Sequence, residues 1–333
     1  MFDLVVIGHL LKEKIIFADG REIGPVLGSP SAYASIASAK LGLKVGLVTK
    51  IGKDMPEELM RVFKEVKIDT EGVKIGNDTT TNLLIYKKSG DKKLEFLEKA
   101  DDISFDDIPG DYLDAGFFLI CPINYEVERE LIIKLYQKGK RLSMELSGFG
   151  GASSERKKGI DFFKEMVKYF EIVKGGGEDY RYIFGKIDEE DAKKFIKWGA
   201  KISILTLGEK GALIITEKSS LKIPSFQTKV IDITGAGDVW HAGFLCEYLK
   251  KGDLKKAGIF ASCLSSLVIE KTGGVIKERF PTYRETEERI KELMEQKGGD
   301  GKGKIEKGLR VEKWEGRRKI IAHHIEREIN ARA

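Results

Sequence analysis

The chain has 333 residues and a mass of 37.3 kDa, which allows one large α/β domain with an accessory part or two ordinary domains. Apolar residues make up 41% of the sequence, too many for an intrinsically disordered chain. No apolar run approaches the roughly 18 residues of a membrane span, and the amino terminus carries Asp3 where a signal peptide is basic. We therefore expect a cytoplasmic protein without a membrane partner.

The cysteines and histidines do not indicate a disulfide framework or a transition-metal enzyme. Cys121, Cys246 and Cys263 are odd in number, widely spaced and set in apolar contexts. This pattern favours small core residues of a protein in a reducing compartment. The four histidines form no HExxH pattern, and the chain contains no CxxC.

The net charge of +5 is concentrated at the carboxyl terminus. Residues 298–333 hold ten basic and six acidic side chains, so this segment accounts for four of the five net charges. The body is close to neutral, so its charge does not indicate a nucleic-acid-binding face there. The segment opens with a glycine-rich run, and we interpret it as a basic tail that is either flexible or forms a short helix.

The first hundred residues predict a mixture of buried strands, helices and two hairpins. The hairpins carry the turn signals Ala18-Asp19-Gly20 and Ser89-Gly90-Asp91. The predicted elements are strand 3–8, hairpin 14–28, helix 31–43, strand 45–50, helix 55–66, and the hairpin strands 81–88 and 93–98.

From residue 112 onward, apolar strands alternate regularly with helices. This rhythm is typical of a mainly parallel sheet with helices on both faces, and the two early hairpins would then form a separate small sheet. The predicted strands begin near residues 115, 141, 170, 201 and 212, with a further strand at 229–233, and the last predicted helices are 239–250, 254–271 and 283–296.

Residues 230–238, with the sequence VIDITGAGD, carry the strongest chemical signal. A predicted strand leads into a turn with Gly235 and Gly237 on either side of an alanine, and a helix is predicted to begin at Asp238 or just after it. Glycines let the main chain approach a ligand, and a helix amino terminus adds partial positive charge, so the turn suits a phosphoryl group. Asp238 is placed to accept the proton of a substrate hydroxyl while phosphoryl transfers.

Two other glycine motifs are excluded at this turn. A dinucleotide fingerprint needs Gly or Ala three residues after Gly237, where the chain has Trp240. No GxxxxGK[ST] pattern occurs, which excludes the P-loop class. A glycine-rich turn with Asp238 as a plain helix N-cap remains open on spacing alone.

The segment DITGAGDVWHAGF resembles the carboxy-terminal signature of the ribokinase-like (PfkB) carbohydrate kinase family, and the element order is similar over about residues 1–290. The resemblance implies a ribokinase-like three-layer α/β fold with a mainly parallel central sheet, helices on both faces and a small β lid. It implies a kinase domain over 1–297, with the lid formed mainly by about 12–28 and 79–99, followed by the tail 298–333.

The same resemblance implies the components of the reaction. ATP would be the phosphoryl donor, Mg²⁺ the cofactor, and a hydroxyl of a small sugar or cyclitol the favoured acceptor, with a nucleoside as the alternative. Asp238 would be the catalytic base, and the main-chain amides of Gly235, Ala236 and Gly237 would form the anion hole. The expected nucleotide-binding residues are Thr206, Gly208, Thr234, Gly273 and Gly274.

The acceptor side departs from the family pattern. Glu13 stands where the family usually has an aspartate, and Gly28-Ser29 stands where it has paired glycines. The segment SMELSGF is similar to a D-x-Q-G-F segment of inositol-kinase-like members, with Glu145 at the aspartate position. These residues, with His9 after the first strand, are the expected substrate-binding residues.

The metal side departs as well. The family's Asn-x-x-Glu is reduced to Gly176-Gly177-Glu178-Asp179, and the resemblance implies that Glu178 and Asp179 hold Mg²⁺ indirectly. These departures keep a second hypothesis open, a non-catalytic ligand sensor on the kinase scaffold. Two further expectations concern partners: the lid strands could pair two subunits, and nucleic-acid binding by the tail is disfavoured.

Overall fold

The computed structural model describes residues 1–16, 18–86, 92–146 and 156–298. The predicted turn at 89–91 and all of the basic tail beyond Gly298 lie outside these ranges, as does the segment from Ser147 onward that resembles D-x-Q-G-F. Among the described helices, none is both long and apolar enough to cross a membrane.

Thirteen strands lie within the described ranges and form two separate sheets. The strands are β1 (Leu4–Ile7), β2 (Leu11–Ile16), β3 (Glu22–Gly28), β4 (Val45–Gly52), β5 (Val73–Gly76), β6 (Thr81–Tyr86), β7 (Lys92–Glu98), β8 (Phe117–Ile120), β9 (Leu142–Glu145), β10 (Ile172–Gly176), β11 (Ile202–Thr206), β12 (Ala212–Ile215) and β13 (Ser220–Ile223).

Nine α-helices accompany these strands in the described part of the chain. They are α1 (Pro30–Lys40), α2 (Glu57–Glu65), α3 (Arg129–Gln137), α4 (Ile160–Met166), α5 (Gly177–Phe184), α6 (Glu189–Lys197), α7 (Ala236–Lys251), α8 (Leu254–Val268) and α9 (Tyr283–Gly298).

The large sheet has nine strands in the order β13-β12-β11-β10-β9-β8-β1-β4-β5. The seven strands from β11 to β5 are parallel, whereas β12 and β13 are antiparallel additions at one edge. Successive strand residues face opposite sides. In β1, Leu4 and Val6 join the core that packs on α1, α7 and α8, and Val5 and Ile7 join the core that packs on α3 to α6. The predicted three-layer α/β fold is therefore confirmed.

The two early hairpins associate into the small sheet, a four-stranded unit with the order β3-β2-β6-β7. Each hairpin is antiparallel, and the two are joined by parallel pairing of β2 with β6, in which Glu13 lies opposite Asn82. Its outer strands are β3 and β7, and pairing of these edges with a second copy stays a prediction.

The structure differs from the sequence prediction at three strands. Residues 229–233 do not form a strand. Instead, the amides of Ile231 and Asp232 both donate to the carbonyl of Ile269 just after α8 (2.7 and 3.1 Å), because a helix end offers carbonyls that have no partner within the helix. The short edge strands β5 and β13 were not predicted; half of their residues are exposed, so they lack the apolar run of a central strand.

Candidate active site

The carboxyl ends of four parallel strands place the candidate site residues at one edge of the large sheet. Strands β9, β10 and β11 end at Glu145, Gly176 and Thr206, and β1 is followed within two residues by His9. Ligands of open α/β sheets bind at this edge. The helix α7 begins beside it, since its first two turns contact side chains from β9 and β10.

The glycine turn forms an amino-terminal cap with unsatisfied donors. Gly235 has φ 73° and caps α7, whose first intrahelical bond runs from the amide of Val239 to the carbonyl of Gly235 (2.9 Å). The amide of Ala236 donates to the carbonyl of Ile233 (3.1 Å). Within the described ranges, the amides of Gly235 and Gly237 have no hydrogen-bond partner.

This geometry refines two predictions. The helix begins at Ala236 instead of at or after Asp238. The amide of Ala236 closes the turn, so the anion hole predicted from three amides has two donors left, those of Gly235 and Gly237. Both residues are partly exposed, so the turn is open to a ligand.

The ring of Tyr33 packs against Gly235 and leaves no room for a side chain there. A Cβ on Gly235 would lie 2.2 Å from a ring carbon of Tyr33, which is closer than any real contact. Tyr33 belongs to α1 and is 4% exposed. The left-handed conformation and the ring together require glycine at this position.

We expect Gly235→Ala to be more destabilising than the matched change Gly252→Ala. Gly252 also has a left-handed φ, at the other end of α7, but nothing lies within 4 Å of its Cβ position. Both variants lose about 1–2 kcal/mol to the left-handed backbone. Gly235→Ala alone loses a further 1–3 kcal/mol or so to overpacking against the ring.

Denaturant unfolding of the two variants measures this difference. Equal losses of unfolding free energy would contradict the proposed close contact between the turn and Tyr33.

A buried ion pair lies beneath α7. Glu145 on β9 and Lys174 on β10 are register neighbours with their side chains on the same face of the sheet. The ammonium of Lys174 lies 2.9–3.0 Å from the carboxylate of Glu145, and each side chain is 1% exposed. The same ammonium lies 3.0 Å from the Cβ position of Gly237, so Lys174 reaches the amino terminus of α7.

His241, one turn further along α7, completes this network. Its Nδ1 lies 2.9 Å from the carboxylate of Glu145, and its Nε2 lies 2.7 Å from the hydroxyl of Ser143. Burial, together with the charge of Lys174, lowers the pKa of His241 well below its ordinary value. The neutral ring therefore donates from Nδ1 to Glu145 and accepts the Ser143 hydroxyl at Nε2.

Lys174 remains charged in this network. Burial acts to lower its pKa, but the negative charges of Glu145 and Asp238 outweigh that effect, so the pKa of Lys174 is raised. Asp238, in the first turn of α7, is 9% exposed. Lys174 therefore supplies a fixed positive charge next to the carboxylate that the sequence predicts as the base.

Asp179 lies at the start of α5, with its carboxylate accepting a hydrogen bond from the amide of Gly176 (2.7 Å). It is 6% exposed. Burial and the nearby charge of Glu145 raise the pKa of Asp179 to about 7, against the opposing effects of the Gly176 amide and Lys174. Its neighbour Glu178 is exposed.

The raised pKa of Asp179 predicts a pH-dependent difference between the wild type and Asp179→Asn. A carboxyl group whose pKa rises on folding stabilises the folded chain below its unfolded pKa, near 3.8, and this contribution is lost as the pH rises toward 7. The unfolding free energy of the wild type minus that of Asp179→Asn should therefore fall by up to about 4 kcal/mol between about pH 4 and pH 7.

Asparagine keeps an acceptor for the Gly176 amide, so the comparison isolates the ionisation. Asp188→Asn is a control, because Asp188 also caps a helix but is partly exposed, and its hydrogen bonds to Lys186 and Glu190 lower its pKa. The unfolding free energy of the wild type minus that of Asp188→Asn should not fall between about pH 4 and pH 7. Denaturant unfolding at several pH values measures both variants. If the difference between the wild type and Asp179→Asn stays constant with pH, the raised pKa of Asp179 is contradicted.

The predicted nucleotide-binding residues lie in three loops at the carboxyl-terminal edge of the large sheet. Thr206 ends β11 next to Gly176 of β10, and its hydroxyl donates to the carbonyl of Gly175 (3.3 Å). Thr234 precedes the glycine turn. In this group Thr206 and Gly274 are partly exposed, whereas the exposed members are Gly208, Thr234 and Gly273.

Three of the expected substrate-binding side chains have structural partners instead. Glu145 is held by Lys174 and His241, as described above. His9 is 0% exposed, with Nε2 2.9 Å from the carbonyl of Asp101 and Nδ1 2.8 Å from the hydroxyl of Thr80. The hydroxyl of Ser29 caps α1 by accepting from the amide of Ala32 (3.0 Å).

These three side chains therefore take part in internal hydrogen bonds, and their role in acceptor binding stays a prediction. Each is buried and hydrogen-bonded within the protein. The physical reason is that polar groups at the ends of buried strands must be satisfied inside the protein.

The other expected acceptor residues lie together at the base of the small sheet. The carboxylate of Glu13 is 3.7 Å from the Cβ position of Gly28. Asn82 shares the face of Glu13, since the two are register partners. Asn82 is 2% exposed, and its amide oxygen has no hydrogen-bond partner within the described residues.

Sequence reasoning missed Lys174, Tyr33 and Arg279. A lysine and a glutamate within two apolar strands were a signal, because such charges are buried only when paired. Tyr33 and Arg279 carried no such signal, since their contacts with the glycine turn join positions far apart in the sequence.

The sheet edge and the open helix amino terminus are typical of an α/β protein that binds a phosphate group. The sequence model described as "pfkB family carbohydrate kinase" matches residues 32–279. The chain therefore belongs to the pfkB family of carbohydrate kinases, as its motif predicted. Members of this family are small-molecule kinases, and so is this protein.

Relatives of this chain act on different acceptors. It is 36% identical over 265 residues to a cytidine kinase of Thermococcus kodakarensis, covering 77% of this chain and 92% of that protein. It is 25% identical over 290 residues to an ATP-dependent 6-phosphofructokinase of Thermoanaerobacterium thermosaccharolyticum, covering 83% of this chain and 90% of that protein. A ribokinase structure from Thermotoga maritima superposes with a TM-score of 0.72 at 19% identity, covering 87% of this chain and 100% of that chain, which supports the fold alone.

Proposed function

We propose that this kinase transfers the γ-phosphoryl group of ATP to a hydroxyl of a ribonucleoside of the cytidine class. The observation that carries the transfer step is the pair of unpartnered amides, of Gly235 and Gly237, beside the carboxylate of Asp238. Such donors bind anionic oxygen at a helix amino terminus. ATP as the donor is supported by family membership and by the ATP-dependent relative.

The residues of the glycine turn divide the chemistry between them. The acceptor hydroxyl oxygen attacks the γ-phosphorus, the bond to the β,γ-bridging oxygen breaks, and ADP leaves. Asp238 takes the hydroxyl proton. The amides of Gly235 and Gly237 stabilise negative charge on the phosphoryl oxygens, and the charge of Lys174 lies behind the same turn.

The small sheet would act as a lid that contacts the acceptor. Glu13 provides a carboxylate that can accept from ribose hydroxyls, and Asn82 provides a buried amide without a partner for its oxygen. A buried polar atom without a partner is costly, and a ligand donor would remove that cost. The sequence alone favoured a sugar or cyclitol; the 36% identity to a cytidine kinase over most of its length moves our proposal to a nucleoside.

Mg²⁺ would enter with the ATP phosphates, which it neutralises when bound. No cluster of three or more metal-ligating side chains lies among the described residues. One or two carboxylates suffice when phosphates and waters supply the other ligands. The exposed Glu178 and the buried Asp179 at the start of α5 would hold it from the protein side, and Asp179 does so as a carboxylate only above its raised pKa.

We expect Asp238→Asn to slow transfer strongly without abolishing ATP binding. The loss of a positioned base should lower turnover by about 10²–10⁴-fold. Calorimetry with ATP should give a similar affinity for the variant and the wild type, because the amides of the turn are unchanged.

Asp253→Asn is the matched control, since Asp253 is the N-cap of α8 and accepts from the amide of Lys256 (2.9 Å). It should retain turnover. If Asp238→Asn behaves like this control, Asp238 only caps its helix and the proposed base is wrong.

A panel of acceptors with ATP and Mg²⁺, followed by ADP release, tests the acceptor class. We expect cytidine and related nucleosides to give the highest kcat/KM, above ribose, fructose 6-phosphate and myo-inositol. A sugar or inositol as the best substrate would overturn the nucleoside proposal. Acceptor binding without ADP release from any compound would favour the ligand-sensor hypothesis.

The variant Asn82→Ala links the preferred acceptor to the small sheet. Loss of one hydrogen bond should raise the acceptor KM by roughly tenfold and leave kcat within about threefold. Asn77→Ala, at an exposed asparagine, should change neither constant. An unchanged KM in Asn82→Ala would remove this residue from the acceptor site.

A further inference from the structure

Arg279 is a fully buried cation directly behind the glycine turn. It is 0% exposed, and the described residues include no other arginine buried to this degree. Its Nη2 donates to the carbonyls of Asp232 and Thr234, both at 2.9 Å. One nitrogen of the guanidinium thus binds two carbonyls of the segment that leads into Gly235.

The remaining donors of Arg279 join this segment to three other parts of the protein. Nη1 donates to the carbonyl of Gly274 (3.2 Å) and to the hydroxyl of Tyr33 (3.4 Å), and Nε donates to the carbonyl of Val268 (3.4 Å). The carboxylate of Asp232 lies 3.4 Å from Nη1 and balances the charge. The guanidinium is therefore saturated by the protein and has no need of a ligand.

The peptide group between Thr234 and Gly235 lies between this cation and the proposed anion. In a trans peptide the carbonyl and the N–H point in opposite directions. The Thr234 carbonyl accepts from Arg279 on one side, and the Gly235 N–H is one of the two unpartnered donors on the other. A hydrogen bond accepted by a carbonyl polarises its peptide group and strengthens the N–H as a donor.

We propose that Arg279 is a positioning residue for phosphoryl transfer, which fixes the glycine turn and polarises the Gly235 amide toward the phosphate. It acts through the Thr234–Gly235 peptide and touches no substrate. The same contacts connect the Gly273-Gly274 loop and the ring of Tyr33 to the glycine turn, so these three parts of the anion site are held in one fixed arrangement. This inference rests on the proposed function, because that function identifies the bound anion as ATP.

The variant Arg279→Lys tests the proposal, because lysine keeps the charge but loses the planar fork that spans both carbonyls. We expect kcat to fall by about 10–100-fold while the acceptor KM stays within about threefold, since the acceptor residues lie on the small sheet. The affinity for inorganic tripolyphosphate, measured by calorimetry, should fall by about tenfold. Thermal unfolding confirms that the variant is folded at the assay temperature.

Arg289→Lys is the matched control. Arg289 also makes a two-pronged contact, with the carboxylate of Glu270 at 3.0 Å for both nitrogens, but it does not touch the turn. It should retain the wild-type kcat and tripolyphosphate affinity. The proposal is overturned if Arg279→Lys is folded and matches this control in both measurements.

A second variant, Arg279→Ala, separates positioning from folding. Guanidinium at about 20 mM is too dilute to denature the protein. It should raise the turnover of Arg279→Ala at least tenfold and should leave the turnover of Asp238→Asn unchanged. A folded Arg279→Ala that does not respond contradicts the proposal; if it does not fold, Arg279→Lys decides. If the wild type binds tripolyphosphate but phosphorylates no acceptor, the proposed function fails, while the binding data still judge the role of Arg279.

Discussion

The buried ion pair between Glu145 and Lys174 is the interaction on which the rest of the site depends. Removing one partner of such a pair costs about 3–5 kcal/mol, because the other is left charged without compensation. The pair sits where two parallel strands end beneath α7, and Lys174 reaches the first turn of that helix. The carboxylate of Asp238 and the open amides of the turn therefore lie near the fixed positive charge of Lys174.

The glycine turn is held from the opposite direction by groups from distant parts of the chain. The ring of Tyr33 from α1 fills the space beside Gly235, and Arg279 binds the carbonyls that precede it. The hydroxyl of Ser265 on α8 also donates to the carbonyl of Ala236 (2.8 Å). A turn constrained in this way pays little reorganisation when an anion binds, which is the condition for strong electrostatic stabilisation.

The acceptor side shows how a family scaffold changes its contacts. Polar residues at the ends of β1 and β9 and at the start of α1 serve internal hydrogen bonds, as His9, Glu145 and Ser29 do. In our proposal the acceptor binds the face of the small sheet that carries Glu13 and Asn82. Under this proposal, acceptor choice and phosphoryl transfer lie on separate structural units, so one can vary while the other is kept.

The sequence by itself determined the α/β class, the glycine turn and the position of Asp238, because these depend on local patterns: apolar strand runs, helix periodicity and glycines before a helix. Only the tertiary structure decided which polar groups near the site are open to a ligand. Residues 229–233 have a strand-like composition but bind the end of α8. Gly235 packs against Tyr33, about 200 residues away, and Thr234 accepts from Arg279, about 45 residues away. Such contacts follow from how helices pack on the sheet, which no local pattern encodes.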